Sequence, residues 1–185
     1  MFDISVKAAE SIGYVGVGTM EFLYQGPSNF YFMEMNTRLQ VEHPVSELTS
    51  NHNLVELQLM IANGQRIDYL FKKKSAVENF ALECRINALT AGKITSLHLP
   101  GGNGIRVDDA LYQGYLVPPY YDSMIAKIIA YGKSRSSTIK KMQAALDETV
   151  IGGISTNLDF LAQLLREEDY LKNNTDINWL DRLSR

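Results

Sequence analysis

The sequence predicts an α+β fold in which strand-rich and helix-rich stretches follow one another along the chain. Three observations predict it: short segments with alternating apolar and polar residues, other segments with apolar residues at helical spacing, and turn residues between them. The chain has 185 residues, of which 45% are hydrophobic and 21% charged. It is therefore long enough to bury a core and has the composition of a globular protein.

The charge and the cysteine content exclude several classes of protein. A net charge of −3 and a single short lysine run, Lys72–Lys74, provide no basic surface for nucleic acid. The one cysteine, Cys84, excludes an internal disulfide and a cysteine-based zinc cluster. No window approaches the roughly twenty apolar residues of a membrane span, and Met1–Glu10 does not resemble a signal peptide. We expect a cytoplasmic protein that binds neither nucleic acid nor a membrane.

The first 65 residues are predicted to form a helix, a hairpin and two more helices. Met1–Ile12 has apolar residues four apart and stops at Gly13. Two alternating strands, Met20–Tyr24 and Phe30–Met35, flank the turn residues Gly26–Asn29. The boundaries of the two later helices are indicated by Pro44 for one, and by Asn53, Glu56 and Gly64 for the other.

The polar stretch Gln65–Glu78 has poor periodicity, so we place a boundary there between two domains, residues 1–65 and 79–185. In the second domain, alternation over Phe80–Ala88 predicts a half-buried strand with Cys84 on its apolar face and Arg85 on its polar face. Further strands are predicted at Lys93–Leu99, Ile105–Val107, Tyr115–Val117 and Met124–Tyr131.

Two helices are predicted after these strands. The first is capped by Ser136 or Ser137 and ends at Gly152-Gly153. The second follows Asn157 and carries Leu158, Leu161 and Leu165 on one face.

Two glutamates of the predicted hairpin indicate a metal site. If the turn residues form a four-residue loop, Gln25 pairs with Phe30 and Glu21 lies directly opposite Glu34. Opposed carboxylates destabilise a hairpin unless their charge is neutralised, and Mg²⁺ shared with substrate phosphates would neutralise it. A solvent-facing acidic hairpin is the alternative, and the spacing alone leaves both open.

Polar residues continue at every second position after the second predicted strand, on the side of Glu34. An extended backbone would align along one edge the side chains of Glu34, Asn36, Arg38, Gln40 and Glu42. Asn36 would add an oxygen ligand for the metal. A guanidinium, an amide and a carboxylate in this order suit a small acid such as bicarbonate, which they can bind, orient and deprotonate. A polar surface is again the alternative, and His43 is expected to cap or pack rather than to bind a metal.

The segment Glu34–Pro44, EMNTRLQVEHP, resembles the signature of biotin carboxylase, the ATP-grasp component of acetyl-CoA carboxylase and of other biotin-dependent carboxylases. The resemblance is carried further by Gly18–Leu23, Glu83–Ala88, Pro100–Gly102 and Pro118–Ile125. It implies the C-terminal part of an ATP-grasp domain over residues 1–65. A biotin carboxylase C-terminal domain of antiparallel strands and helices follows over residues 79–185.

The resemblance implies a ligase that carboxylates biotin on a carrier protein, through carboxyphosphate, from bicarbonate and ATP with Mg²⁺ or Mn²⁺. Such an enzyme supplies malonyl-CoA for fatty acid synthesis. The implied partners are the biotin carboxyl carrier protein and carboxyltransferase subunits. Whether a homodimer forms is open, because Asn103 stands where the family usually has a bulky residue in a stretch used for dimer contacts.

Site roles follow from the same resemblance. The implied metal ligands are Glu21 and Glu34, with Asn36 at the edge of the phosphate and metal site. Bicarbonate is held by Arg38, Gln40 and the Val41 backbone N–H, and Glu42 is the general base. The biotin enolate is stabilised by Arg85, which is expected to approach Glu42. Leu23 lines the adenine pocket and Asp122 shapes the biotin end, with core packing and a turn role as their respective alternatives.

The family enzymes are far longer than this chain and carry an N-terminal domain and a lid with phosphate-binding lysines. The chain is therefore interpreted as a C-terminal fragment that folds but is inactive by itself. It also has only Leu89–Ala91 where the family usually has a longer loop. Another ATP-grasp ligase and a non-catalytic assembly module remain as alternatives.

Overall fold

The computed structural model describes residues 1–68 and 79–183, and it confirms the predicted α+β fold. The chain divides into two compact units, Met1–Glu78 and Asn79–Arg185. The lysine run and most of the polar stretch predicted as a domain boundary lie outside the described residues. The helices of the described part are all too short or too polar to cross a bilayer.

The first unit contains three helices and a hairpin: α1 (Phe2–Ser11), β1 (Thr19–Gly26), β2 (Asn29–Asn36), α2 (His43–Ser50) and α3 (Leu54–Ala62). The predicted start and stop signals act as expected. Pro44 lies in the first turn of α2. The Asn53 side chain caps α3 by accepting the Glu56 N–H at 3.0 Å. Glycines in the left-handed region follow α1 and α3, at Gly13 and Gly64.

The turn of the hairpin differs from the prediction. Gly26 pairs with Asn29, so the loop has two residues rather than four, and Gln25 lies in a bulge instead of pairing with Phe30. Gly26 has φ 148°, which other residues rarely adopt, and it lets the chain turn earlier than predicted. A second bulge, at Met33 in β2, restores the predicted register farther from the turn.

The second unit contains seven strands and four helices within its described residues. The strands are β3 (Phe80–Asn87), β4 (Gly92–Lys93), β5 (Ser96–His98), β6 (Ile105–Asp109), β7 (Leu116–Val117), β8 (Met124–Gly132) and β9 (Val150–Gly152). The helices are α4 (Arg135–Glu148), α5 (Leu158–Leu164), α6 (Glu168–Leu171) and α7 (Trp179–Leu183). An antiparallel sheet has the order β3-β8-β6, and β4 pairs with β7 and β5 with β9.

The core of the second unit lies between one face of the three-stranded sheet and helix α4. Cys84 and Ile86 of β3 alternate with the exposed Arg85, as predicted, and they pack with Ile128 of β8 and Met142 of α4. The apolar face of β3 is therefore buried, and its polar face remains for Glu83, Arg85 and Asn87.

Two predicted elements of the second unit are wrong in detail. Lys93–Leu99 is not one strand, because the chain changes partner at the fully buried Ile94: β4 pairs with β7, and β5 pairs with β9. Helix α4 is capped by Ser134, whose hydroxyl accepts the Ser137 N–H, rather than by Ser136 or Ser137. It ends at Glu148, and the segment before Gly153 forms β9.

Candidate active site

The acidic end of the hairpin brings two carboxylates to one point. Glu21 and Glu34 are directly opposite each other in the β1–β2 ladder, as predicted. The Asn36 amide nitrogen donates to Glu21 Oε1 at 2.9 Å and to Glu34 Oε1 at 3.0 Å. One nitrogen atom thus lies within hydrogen-bond distance of both carboxylates, which shows that they share a face and converge.

The expected extended edge after β2 is wrong. Strand β2 ends at Asn36, and the chain bends at Arg38 and turns at Val41 and Glu42 into helix α2. Glu42 is the residue before the first turn of α2, with φ −77° and ψ 4°, so it does not continue the parity of a strand. The bend is nevertheless compatible with a joint site, because Gln40 Nε2 donates to Glu21 Oε1 at 3.2 Å.

A cleft of about 390 Å³ lies beside this group in the first unit. Its lining includes Gln40, Glu42 and His43 together with apolar side chains of α3 such as Leu54 and Leu57. His43 Nδ1 donates to the Gln40 carbonyl at 2.8 Å, so His43 packs at the start of its helix as expected. Arg38 is exposed, and its Nη1 donates to the neighbouring Leu39 carbonyl at 3.4 Å.

An apolar surface adjoins the carboxylates on the same face of the hairpin. Leu23 lies two residues from Glu21 in β1, on the same side, and pairs with Tyr31 of β2. Leu23 is 60% exposed and Tyr31 is 59% exposed. The alternative interpretation of Leu23 as a core residue is therefore wrong within the described part of the chain. The face thus carries an apolar end and an acidic end, which suits a ligand with a flat apolar ring and a charged tail.

Arg85 projects from the polar face of β3 in the second unit. Its Nε donates to Glu83 Oε1 at 3.4 Å, and the Glu83 side chain is only 5% exposed. Across the ladder, Arg85 is directly opposite Lys127, and Lys127 is directly opposite Asp108. The polar face of this sheet therefore holds Arg85 within an ordered set of charges.

Asp108 holds that set together. It accepts two hydrogen bonds from Arg106, at 2.7 and 2.9 Å, and pairs with Lys127 Nζ at 3.4 Å. Burial by itself would raise the pKa of Asp108, but the bond from Arg106 and the charges of Arg106 and Lys127 outweigh it. The net effect is a lowered pKa, so Asp108 carries its negative charge between the two cations.

Asp122 closes the turn before β8. Its Oδ1 accepts the Met124 N–H at 2.9 Å, as a turn-forming aspartate does. The preceding Tyr121 has φ 80°, which is unusual for a residue with a side chain, and it is fully exposed. The turn role considered for Asp122 is confirmed, and its role toward biotin stays a prediction.

Sequence reasoning missed several residues around Arg85. Lys127, Arg106 and Asp108 lie on the polar face. The alternation within β6 is the signal that could have found Arg106 and Asp108, whereas Lys127 is a single charge in the otherwise apolar strand β8. Asn157 was noted only as the residue before a helix. Its side chain instead bonds the main chain of β3, 70 residues away in sequence, and no local pattern indicates such a contact.

The donor set at Glu21 and Glu34 suits a divalent cation. Within the described residues, no group of three or more His, Cys, Asp or Glu side chains could hold a metal by itself. Two convergent carboxylates beside an amide fit Mg²⁺, because this ion is commonly held by one or two carboxylates and takes its remaining ligands from phosphates and water.

Comparison with known proteins shows the class to which this arrangement belongs. Residues 1–70 match the family "Carbamoyl-phosphate synthase L chain, ATP binding domain", and residues 83–182 match the family "Biotin carboxylase C-terminal domain". The fold is therefore part of an ATP-grasp domain followed by a biotin carboxylase C-terminal domain, as predicted. The chain belongs to the biotin carboxylase family.

Individual relatives agree with this assignment. The chain is 49% identical to the biotin carboxylase of Haemophilus influenzae, with 95% of this chain and 40% of that protein aligned. It is 45% identical to biotin carboxylase 1 of Bacillus subtilis, over 98% of this chain and 42% of that protein. The chain thus spans about two fifths of the length of these curated relatives.

Solved structures show the same fold. The biotin carboxylase domain dimer of Hydrogenobacter thermophilus 2-oxoglutarate carboxylase, in complex with MgADP, ADP and bicarbonate, matches with a TM-score of 0.93 and 37% identity, over 98% of this chain and 42% of that chain. The Campylobacter jejuni biotin carboxylase, in a β-γ-ATP complex, matches with a TM-score of 0.89 and 41% identity, over 97% of this chain and 42% of that chain.

Proposed function

We propose that this chain supplies the metal, bicarbonate and biotin-binding residues of an ATP-dependent biotin carboxylase. The reaction carboxylates a ureido nitrogen of biotin, with bicarbonate and MgATP as the other substrates. The observation that carries the proposal is the convergence of Glu21 and Glu34 on the Asn36 amide, with Gln40 bonded to the same Glu21 carboxylate.

The nucleotide is proposed to lie along the shared face of the hairpin. Leu23, beside Tyr31, would contact the adenine ring, and the two carboxylates would meet the phosphate end. Mg²⁺ bound there would neutralise the opposed carboxylates and the phosphate charge. The exposed apolar end and the acidic end of one face fit such a ligand in that orientation.

Bicarbonate is proposed to bind next to this site. Arg38, the Gln40 amide and the Val41 backbone N–H would hold the anion, and Glu42 would accept its proton. Gln40 and Glu42 line the same cleft, which supports their joint role. Attack of the deprotonated oxygen on the γ-phosphorus then gives carboxyphosphate and ADP.

Arg85 is proposed to act on the acceptor. Carboxyphosphate breaks down to CO₂ and phosphate, the released phosphate takes the proton of the ureido nitrogen, and the resulting enolate forms the new N–C bond by attacking CO₂ through that nitrogen. A guanidinium fixed beside the ureido oxygen stabilises the negative charge that develops there. Asp122 would shape the same end of the site through the turn that it closes.

The partners follow from the reaction. Biotin would be presented on a biotin carboxyl carrier protein, and carboxyltransferase subunits would use the carboxybiotin for malonyl-CoA and fatty acid synthesis. A homodimer is a further proposal, since the Hydrogenobacter thermophilus relative is a dimer.

A segment-exchange enzyme tests the proposal. In it, the aligned 40% of the Haemophilus influenzae biotin carboxylase is replaced by this chain. We expect ATP hydrolysis that depends on bicarbonate and Mg²⁺, and a strong loss of it for Glu34→Gln. Glu56→Gln, at an exposed position of α3 that does not line the cleft, is the matched control and should retain the activity. If the segment-exchange enzyme without point substitutions melts cooperatively but does not hydrolyse ATP, the proposed function is refuted.

A further inference from the structure

Helix α5 begins with an asparagine whose side chain does not cap it. Asn157 occupies the position before the first turn, where an asparagine usually accepts an N–H of its own helix. No such bond is present for Asn157. The side chain of Asn157 therefore serves another element.

That element is the outer edge of β3. Asn157 Oδ1 accepts the Asn87 N–H at 2.8 Å, and Asn157 Nδ2 donates to the Arg85 carbonyl at 3.1 Å. The Asn157 backbone N–H donates to the Asn87 carbonyl at 3.2 Å. One residue thus bonds three main-chain groups of Arg85 and Asn87.

The position of β3 in its sheet explains why these bonds matter. In the order β3-β8-β6, strand β3 is an edge, so its outer N–H and C=O groups receive no partner from β8. Asn157 takes the place of a neighbouring strand at the end of β3 that carries Arg85. Farther along, Thr156 bridges to Ala88, and the Leu89 N–H bonds the Ser155 carbonyl at 2.8 Å.

The side chain of Arg85 is constrained as well. Its Nε bonds the nearly buried Glu83 carboxylate, and its main chain lies between β8 on one side and Asn157 on the other. A guanidinium that stabilises a developing charge must be held in place before the reaction, because small displacements of such groups lower the rate strongly.

We propose that Asn157 is a positioning residue for biotin carboxylation, because it fixes the main chain of β3 at Arg85 and so fixes the guanidinium that acts on the biotin ring. This inference rests on the proposed function. It adds a residue that bonds the main chain of β3 and acts through the position of Arg85.

The local part of the inference is tested on the 185-residue chain by hydrogen exchange. Asn157→Ala removes the side-chain oxygen that accepts the backbone N–H of Asn87, so the hydrogen of this N–H should exchange faster. Ser134→Ala is the matched control, since Ser134 is an ordinary cap of α4 in the same unit. It should leave exchange at Asn87 unchanged. Unchanged protection of Asn87 in Asn157→Ala would overturn the inference.

The functional part is tested in the segment-exchange enzyme by measuring carboxybiotin formed and ATP hydrolysed. Without an efficient acceptor step, carboxyphosphate still forms and decomposes. Asn157→Ala and Asn157→Asp should therefore lower the ratio of carboxybiotin to hydrolysed ATP, on the order of tenfold for Asn157→Ala. Arg85→Ala should change the ratio in the same direction. Ser134→Ala should keep the ratio of the unsubstituted enzyme.

A parallel fall of both rates in the Asn157 variants, or no change in either, overturns the positioning role while leaving the proposed function intact. An unsubstituted segment-exchange enzyme that neither hydrolyses ATP nor forms carboxybiotin overturns the proposed function and this inference with it. The two failures are therefore distinguishable.

Discussion

Glu21 and Glu34 lie directly opposite each other across the β1–β2 hairpin, although the strands between them and the turn are irregular. One bulge lies in β1 at Gln25 and a second in β2 at Met33, and their register shifts cancel. The pairing predicted from a regular hairpin is therefore confirmed even though the predicted turn is wrong. The chain retains two like charges face to face, which a hairpin selected only for stability would avoid.

The opposed carboxylates predict a stabilising substitution. Glu34→Gln removes one charge from the pair, so the free energy of unfolding of the 185-residue chain should rise by about 0.2–1 kcal/mol in metal-free buffer of low salt. Chemical denaturation measures the change. Glu56→Gln is the control for the loss of one charge: Glu56 faces no carboxylate across a strand and lies in the first turn of α3, where a negative charge is favourable, so this change should not raise the free energy of unfolding. A clear loss of stability in Glu34→Gln alone would show that the pair is not repulsive in the folded chain.

The charges on the polar face of the second unit predict a dependence of stability on pH. The pKa of Asp108 is lowered from an ordinary value of 3.8, so the folded chain binds a proton there less readily than the unfolded chain. The contribution of Asp108 is therefore fully present above that value and is lost as the pH falls through the lowered pKa.

Asp108→Asn should consequently destabilise the chain at neutral pH, and the difference from the unsubstituted chain should shrink as the pH falls below about 4. Denaturation curves between neutral pH and pH 3 measure this convergence. Asp109→Asn serves as control, since an asparagine can still accept the Leu111 N–H that Asp109 accepts. A difference for Asp108→Asn that is independent of pH would contradict the assigned ion pairs.

The buried cysteine predicts slow chemical modification. Burial, with a smaller contribution from the charge of Glu83, raises the pKa of the Cys84 thiol to about 12. At pH 8 the thiolate is scarcely populated and the side chain is inaccessible, so a thiol reagent should label the native chain far more slowly than the denatured chain. Comparable labelling rates in the two states would mean that the β3–α4 core is open in solution.

The isolated polypeptide should be folded and catalytically silent. Two carboxylates alone would not complete a Mg²⁺ site, because this ion takes its remaining ligands from phosphates and water. The chain also spans only about two fifths of the length of its relatives. Rate enhancement in phosphoryl transfer depends on holding the triphosphate in line with its acceptor. We expect a thermal transition that MgATP does not shift and no bicarbonate-dependent hydrolysis. Measurable bicarbonate-dependent turnover by the 185-residue chain would contradict this prediction.

Local pattern was sufficient for much of the fold. Alternation placed Cys84 in the core and Arg85 on the polar face, and the capping residue Asn53 and the stop at Gly64 marked α3 correctly. These features depend on residues close in sequence, which is why a single sequence is sufficient to predict them.

Long-range features could not be predicted in this way. The break at Ile94 depends on two separate partner strands, β7 and β9, and the bonds of Asn157 reach a strand 70 residues away. The extended path predicted for Arg38 and Glu42 is also wrong, because strand β2 ends at Asn36 and helix α2 begins at His43. In the first two cases tertiary contacts, rather than local spacing, decide the conformation, whereas the turn at Val41 and Glu42 belongs to the start of α2.

We propose that Glu42 is the base that activates bicarbonate for transfer to biotin in the complete enzyme. The most direct measurement is the formation of radiolabelled carboxybiotin from labelled bicarbonate by the segment-exchange enzyme, with and without Glu42→Gln. Glutamine keeps the shape of the side chain but cannot accept the proton, so the rate should fall by about 10²–10⁴-fold, with Glu56→Gln unaffected. Carboxybiotin formed at the same rate with Glu42→Gln, or none formed by the unsubstituted enzyme, would contradict the proposed role of Glu42.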